Sequence, residues 1–135
     1  MRIVVIDGQG GRMGSLFIEK WRQVNGKSAE IIAVGTNGIA TSAMLRAGAD
    51  AGATGENPVI VNVRSADYIV GPIGIMAADA LYGEVTQAMA NAVARSSAQK
   101  ILIPVNNCGF RVAGVGSSSL SELIGDAVRQ IMPLD

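Results

Sequence analysis

The chain has 135 residues, 49% of them hydrophobic, and its 11 basic and 11 acidic residues give a formal net charge of zero. A neutral chain carries no strong polyanion-binding signal, so we expect no nucleic-acid partner. With one cysteine and no histidine, the sequence excludes an internal disulfide, a histidine metal site and a histidine general base, and we assign no metal site.

Size and apolar content predict the class of protein. A chain of this length fits one domain, residues 1–135, with a core large enough to need no disulfides. The apolar run before Asp7 is too short for a signal peptide, and no segment has transmembrane length. We therefore expect a cytoplasmic protein without membrane contact. The apolar excess favours a homo-oligomer, because monomers rarely expose large apolar patches.

The first third of the chain alternates apolar runs with helical spacing. The β-branched run Ile3–Ile6 is typical of a strand buried on both faces of a parallel sheet. After a glycine-rich loop, apolar residues recur at helical spacing until Asn25-Gly26 ends the helix: Met13, Leu16, Phe17, Trp21 and Val24. A second strand is predicted at 31–35, and a second helix at 40–47 with Gly48 as its C-terminal stop.

Residues 58–66 allow two predictions. The β-branched run Val59–Val63 favours a strand, whereas Asn57-Pro58 is a good helix start. Only Arg64-Ser65-Ala66 separate this run from the next apolar run, which is too few for a parallel crossover. We therefore predict a third strand at 51–54, a helix at 58–66 and a fourth strand at 68–71.

The chain from residue 75 onward is predicted to form two strands and three helical segments. A short helix or helical turn at 75–82 precedes a longer helix with one apolar face: Val85, Ala88, Met89, Ala92 and Val93. Pro104 places the strand 100–105 near a sheet edge or makes it locally irregular. Residues 106–109 have hairpin length and lead to an antiparallel strand at 110–115. Ser119 and Glu122 form a candidate capping box for the last helix.

The recurring strand–helix order predicts an α/β fold. We expect a three-layer Rossmann-like domain whose mostly parallel, twisted sheet has strand order 3-2-1-4-5 plus an antiparallel edge strand, with helices on both faces.

The loop Gly8–Gly14 lies between the first predicted strand and helix, which is the context that a phosphate-binding loop requires. Glycines allow close approach of a phosphate, and a helix N-terminus offers free N–H groups and partial positive charge. The predicted cofactor-binding residues here are Gly8, Gly10, Gly11, Arg12, Met13 and Gly14. Alternatively, the glycines only permit close packing of strand and helix.

Asp7 directly precedes this loop and would repel a phosphate unless it is paired or aimed elsewhere. Four roles stay open: an ion pair with Arg12, a metal held through water, contact with a ligand hydroxyl, or capping of the loop amides.

Polar and turn residues at the carboxyl ends of strands complete the predicted site, because ligands of open α/β sheets bind at this edge, at the switch point. The predicted binding residues there are Thr36, Asn37, Gly71, Pro72 and Gly74. Further polar residues at such ends are Glu56, Asn57, Asn106 and Asn107.

The second strand ends in Gly35-Thr36-Asn37, without the acidic residue that usually contacts the ribose in an NAD site. No arginine stands there for a 2′-phosphate, although Arg12 or Arg46 could reach. The candidate cofactors are therefore NAD(P) or a mononucleotide, and a standard dehydrogenase site is disfavoured.

Two resemblances add to these predictions. The stretch Gly8–Gly14, ending Gly11-Arg12-Met13-Gly14, resembles the cofactor loop of dihydrodipicolinate reductase, which implies binding of NADPH or NADH. The chain lacks room for the substrate domain of that enzyme and has no histidine for its catalytic motif. Almost the whole chain resembles a small bacterial family known as a domain of unknown function, which implies no activity. The stretches that carry this second resemblance are 6–14, 33–37, 40–45, 52–57, 71–75 and 103–106.

Three functions follow as hypotheses. The first is a nucleotide- or dinucleotide-binding protein that uses the Gly8–Gly14 loop for a small phosphorylated ligand. The second is a small enzyme acting on a phosphorylated metabolite, with Asp7, Glu56 or Asp79 as acid or base. The third is an oligomeric interaction module without a ligand. Asp79 and Glu84 form a further candidate carboxylate pair, and Cys108 has no histidine partner for nucleophilic catalysis.

Overall fold

A computed structural model describes residues 1–105 and 109–131. The strands are β1 (Arg2–Asp7), β2 (Glu30–Gly35), β3 (Ala51–Thr54), β4 (Tyr68–Pro72) and β5 (Gln99–Ile103). The helices are α1 (Arg12–Asn25), α2 (Gly38–Arg46), α3 (Glu56–Asn62), α4 (Gln87–Arg95) and α5 (Leu120–Gln130), and a 3₁₀ helix spans Ile73–Met76.

The five strands form one sheet in the order β3-β2-β1-β4-β5, and all neighbours are parallel. The predicted strand order and α/β class are confirmed. Strand β1 lies at the centre, with Val4 opposite Ile32 on one side and Ile69 on the other. Because all strands run in one direction, their carboxyl ends lie along a single edge of the sheet.

Each face of the sheet carries its own apolar core, which gives the three layers. Helices α1, α2 and α5 cover one face, where Phe17 and Trp21 are fully buried and stack with ring centroids 6.3 Å apart. Helices α3 and α4 cover the other face through Val59 and Val93. Strand β1 contributes to both cores, which explains its uninterrupted apolar run.

The ambiguous segment 58–66 is helical only as far as Asn62, and residues 63–66, which the prediction included in the helix, form a turn and irregular structure. Helix α3 begins at Glu56 after Gly55, whose φ of 108° favours glycine. Pro58 therefore lies in the first helical turn, where backbone N–H groups have no intrahelical partner. The predicted start at Asn57-Pro58 was two residues late. Burial of Val59 in the core outweighs the strand propensity of its neighbours.

The predicted antiparallel strand at 110–115 is wrong. The described residues 109–119 form turns and irregular structure and contain no strand. Gly114 and Gly116 have φ of 85° and 66°, which interrupts an extended backbone. Phe110 and Val112 are about half exposed, so no core holds this segment extended. Asn106, Asn107 and Cys108, which begin the predicted hairpin, lie outside the described residues.

The predicted helical segment at 75–82 is also shorter than expected. Only Ile73–Met76 is helical, and a turn over residues 79–85 follows. The Asp79 N–H donates to the Val85 carbonyl at 2.7 Å, and the Val85 N–H donates to the Ala80 carbonyl at 3.1 Å. These bonds close the 79–85 turn, which replaces helical hydrogen bonding.

Two C-terminal predictions are confirmed. Strand β5 is an edge strand and ends at Ile103, directly before Pro104. Helix α5 starts with the predicted capping box, in which Ser119 Oγ accepts from the Glu122 N–H and Glu122 Oε1 accepts from the Ser119 N–H. Within the described ranges, no helix is long and apolar enough to cross a membrane.

Candidate ligand-binding site

A cleft of about 320 Å³ opens where β1 and β4 end. The chain leaves the sheet in opposite directions from these two strands, so this is the switch point of the fold. One wall is the loop region 7–13. The facing residues are apolar: Pro72, Leu81, Val105 and Leu120. The volume lies at the lower end of the roughly 300–1,000 Å³ typical of small-molecule sites.

The glycines of the loop have different roles. A Cβ on Gly11 would lie 2.8 Å from the Ala40 backbone, and one on Gly14 would lie 2.5 Å from Met44 Sδ. These two glycines therefore permit close packing of α1 against α2. A Cβ on Gly10 would meet no atom of the described residues within 4 Å. Gly10 is thus the loop glycine that leaves open space for an approaching ligand.

Asp7 caps the loop from inside. Its Oδ1 accepts from the Gly8 N–H and its Oδ2 from the Gly14 N–H, both at 2.8 Å, and the residue is only 5% exposed. Burial raises the pKa of Asp7, although the hydrogen bonds from Gly14 and Gly8 act in the opposite direction, and the charge of Glu84 adds to the rise. Within the described residues Asp7 forms no ion pair with Arg12. Of its four proposed roles, the structure shows the amide cap.

Four residues from the loop, the end of β2 and the 79–85 turn meet and form the Glu84 cluster: Gln9, Thr36, Asn37 and Glu84. Glu84 Oε1 accepts from the Thr36 hydroxyl at 2.6 Å, the Asn37 Nδ2 at 2.7 Å and the Gln9 backbone N–H at 2.9 Å. Burial raises the pKa of Glu84, but these three hydrogen bonds outweigh burial and hold the pKa below its usual value. The cluster thus keeps an ionised carboxylate beside the loop.

Gly8 leaves space for the Glu84 cluster, and Asn37 connects the cluster to helix α2. A Cβ on Gly8 would lie 2.5 Å from Thr36 Oγ1 and 3.0 Å from Glu84 Oε1, so only glycine fits there. Asn37 Oδ1 accepts from the Ala40 N–H at 2.9 Å, which also makes Asn37 the N-cap of α2.

The sequence did not single out Glu84 for this role. It suggested only a carboxylate pair with Asp79, whereas the Asp79 residue is exposed on the 79–85 turn. The turn itself has unusual backbone geometry, with φ of 66° at Asp79 and 56° at both Leu81 and Tyr82. Non-glycine residues adopt such values at a cost, often near functional sites.

Acceptors within the protein already bind several of the backbone N–H groups of the loop. Asp7 takes the N–H groups of Gly8 and Gly14, Glu84 takes that of Gln9, and the Gly8 carbonyl takes that of Gly11 at 2.9 Å. The Gly10 and Arg12 N–H groups have no partner among the described residues. Both residues are exposed and line the cleft. The donor set facing a ligand is therefore smaller than the glycine pattern suggested.

Several predicted binding residues lie elsewhere. Gly71 allows close packing of β4 on β1, because its Cβ would lie 2.5 Å from the Ile6 carbonyl oxygen. Gly74 is buried in the 3₁₀ helix. Pro72 and Met13 do line the cleft, whereas Arg46 borders a separate surface depression beside Asn37.

The proposed acid–base residues do not converge. Both oxygens of Asp7 accept loop amides, Glu56 Oε1 accepts from the Thr86 hydroxyl at 2.7 Å, and Asp79 is exposed. Asn57 is exposed in the first turn of α3. In residues 1–105 and 109–131, no group of three or more potential ligands could hold a metal ion.

The fold and the cleft define a Rossmann-like α/β protein with a small cleft at its switch point. The chain belongs to the family described as Domain of unknown function (DUF3842), which matches residues 2–134. The predicted resemblance to a domain of unknown function is thereby confirmed. No curated protein matches the sequence. Among solved structures, the chain is similar to a dodecameric FMN-dependent UbiX-like decarboxylase from Escherichia coli O157:H7, with 13% identity over 96% of this chain and 91% of that chain and a TM-score of 0.45.

Proposed function

We propose that this protein binds a nucleotide-sized phosphorylated ligand in the cleft at the switch point, with the phosphate at Gly10 and Arg12. The observation that carries the proposal is the open face of Gly10, just before the N-terminus of α1, in a cleft of ligand size that Arg12 also lines. The likeness of the loop to that of dihydrodipicolinate reductase stays a prediction.

Charge limits where the phosphate can lie. The N-terminus of α1 carries partial positive charge, and the Arg12 guanidinium can form charge-assisted bonds with a phosphate. Asp7 and Glu84 place two carboxylates nearby, and neither forms an ion pair among the described residues. Repulsion from these carboxylates favours a phosphate position at the Gly10–Arg12 end of the loop.

The apolar wall and the volume indicate what else the ligand contains. Pro72, Leu81 and Leu120 offer a surface for an aromatic base. A cleft of about 320 Å³ suits a mononucleotide better than NAD(P), which carries two nucleotides. We therefore place a mononucleotide first among the candidate ligands.

Isothermal titration calorimetry with AMP, GMP, CMP, FMN, NAD and NADP tests the proposal. We expect at least one mononucleotide to bind, and Arg12→Gln to weaken its binding about tenfold through loss of a charge-assisted bond. Gly10→Ala should weaken binding similarly by filling the open face while leaving the fold intact. Gly125→Ala is the matched control, because its Cβ would meet only the Arg129 side chain, at 3.4 Å in α5. Binding unchanged in both loop variants, or absent in the wild type, would reject the proposal.

The interaction-module hypothesis rests on exposed apolar side chains. Tyr82 is 99% exposed and Ile39 is 72% exposed, and others lie on α1, α2, α3 and the 109–119 segment: Val24, Leu45, Val61, Phe110 and Val112. Such residues suit a homo-oligomer of this chain. Native mass spectrometry reports oligomeric state and bound ligand in one measurement. An assembly that Ile39→Ser dissociates, without any bound ligand, would favour this second function.

A further inference from the structure

We infer that Glu84 supplies the acidic group that the end of β2 lacks, and that the cleft selects ligands with free ribose hydroxyls. This inference rests on the proposed nucleotide binding and specifies the ligand class. In dinucleotide-binding folds, an acidic residue near the end of the second strand accepts a hydrogen bond from a ribose hydroxyl. Here Thr36 and Asn37 follow β2, and the carboxylate belongs to Glu84 on the 79–85 turn.

The carboxylate of Glu84 is held at the end of β2. The Thr36 hydroxyl and the Asn37 amide, at 2.6 and 2.7 Å, belong to the two residues directly after that strand. The 79–85 turn is closed by backbone bonds, and the next residue, Val85, is buried in the core. Both ends of the Glu84 side chain are therefore fixed, which favours preorganised contact with a ligand.

One carboxylate oxygen is left for a ligand. The three hydrogen bonds within the cluster all go to Oε1, and Oε2 accepts none from the described residues. Glu84 is only partly buried, so part of its surface faces solvent. An ionised oxygen held in place is a strong acceptor for a hydroxyl group.

The Glu84 cluster adjoins the cleft through Gln9. The Gln9 backbone N–H donates to Glu84 Oε1 at 2.9 Å, and Gln9 also lines the cleft. Leu81, three residues before Glu84, lines the cleft as well. A ligand with its phosphate at Gly10 and Arg12 can therefore place its ribose toward Glu84.

The same carboxylate disfavours a second phosphate on the ribose. A 2′-phosphate at this position would be repelled by the charge of Glu84. Arg46 lines a separate depression together with Asn37 and does not line the cleft. The arrangement thus favours ribose with free hydroxyls over 2′-phosphorylated ribose.

The test compares matched nucleotide pairs by isothermal titration calorimetry. The probes are AMP, GMP and CMP, each with its 2′-deoxy form, and adenosine 2′,5′-bisphosphate. We expect the wild type to bind ribonucleotides about tenfold tighter than deoxyribonucleotides, since one charge-assisted hydrogen bond is lost in the latter. Glu84→Gln should bring this ratio close to one and strengthen binding of the bisphosphate. Asp126→Asn, which removes an exposed charge on α5, should change neither.

A second variant keeps the test independent of folding defects in Glu84→Gln. Thr36→Val removes one hydroxyl that holds the carboxylate but keeps the charge, and should lower the ratio of ribose to deoxyribose affinity by a smaller factor. Nucleotide binding that depends on Arg12 but shows no preference for ribose would overturn this inference and leave the proposed function standing. Absence of binding for every probe would overturn both.

Discussion

The Thr36 hydroxyl donates to Glu84 Oε1 at 2.6 Å, although the two residues are 48 positions apart in the chain. Thr36 follows β2, whereas Glu84 lies on the 79–85 turn beyond β4. Strand β1 lies between β2 and β4 in the sheet. The contact therefore reaches across the end of β1 and encloses the start of the glycine loop, where it fixes a carboxylate beside the candidate ligand cleft.

Glu84→Gln should lower the free energy of unfolding by about 1 kcal/mol at neutral pH, because three donors lose a charged acceptor. The folded-state pKa of Glu84 lies below its unfolded value of 4.5, so its stabilising contribution is present above that pH and is lost as the pH falls through the folded-state pKa. Urea unfolding of wild type and variant across this range measures the effect. A difference between the two proteins that grows toward acid would contradict the assigned contacts.

Asp7→Asn should cost about 1–3 kcal/mol of stability at neutral pH. The amide nitrogen of asparagine would face one of the two N–H groups that the carboxylate now accepts, from Gly8 or Gly14. Burying the Asp7 charge destabilises the wild type, so removal of the charge offsets part of the cost of Asp7→Asn. Thermal or urea unfolding measures the balance. Asp126→Asn on the exposed side of α5 is the control. If Asp7→Asn is as stable as the wild type, the cost of burying the Asp7 charge cancels the hydrogen bonds of the cap.

Substitutions in the loop should separate packing glycines from the open glycine. Gly11→Ala should destabilise the protein by about 2 kcal/mol or more, since Gly11 has φ of 72° and its Cβ would lie 2.8 Å from the Ala40 backbone. Gly10→Ala should change the free energy of unfolding by about 0.5–1 kcal/mol at most. Unfolding followed by fluorescence of Trp21, the single tryptophan and fully buried, compares them. Equal losses would refute the distinction.

Arg22 should be a main contributor to stability outside the site. Its guanidinium donates to the carbonyls of Gly48, Gly26 and Ala29 at 3.0–3.1 Å and to Asp50 Oδ2 at 2.8 Å. These bonds join the end of α1 to the starts of β2 and β3. We expect Arg22→Met to cost about 2–3 kcal/mol, because the part-buried Ala29 carbonyl and three exposed acceptors lose their donor.

The matched control for Arg22 is Arg129→Met. Arg129 lies 3.7 Å from Asp126 on the surface of α5, and its side chain is 72% exposed. Exposed ion pairs contribute little, so this variant should stay within about 0.5 kcal/mol of wild type. Chemical denaturation of both variants under the same conditions decides the point. If the two substitutions cost the same, the contacts of Arg22 do not stabilise the fold as assigned.

Much of the fold could be predicted from local patterns. The buried run Ile3–Ile6, the capping box of Ser119 and the position of Pro104 are signals within a few residues of sequence, and each was confirmed. The sheet order followed from strands alternating with helices, because parallel connections have one preferred hand. Because Pro72 and the loop lie at the carboxyl ends of parallel strands, the predicted topology also placed them at one edge of the sheet.

Where local sequence signals favoured a structure that did not form, burial in the core and the available strand partners determined the outcome. The propensity of Val59–Val63 favours a strand, but Val59 is buried in the core as part of α3. Phe110–Val115 also has strand character, yet Gly114 adopts a positive φ and the segment finds no strand partner among the described residues. Propensity describes a segment by itself, whereas a strand needs a neighbouring edge to accept its hydrogen bonds.

In the candidate site, some features likewise follow from the sequence and others only from the tertiary structure. The sequence by itself determined that a glycine loop joins β1 to α1 and that Thr36 and Asn37 follow β2, because these are matters of chain order. Only the tertiary structure decided that Asp7 and Glu84 occupy loop amides and that Gly10 faces open space. Hydrogen bonds between distant residues depend on distances of a few tenths of an ångström, and packing of the whole sheet sets those distances.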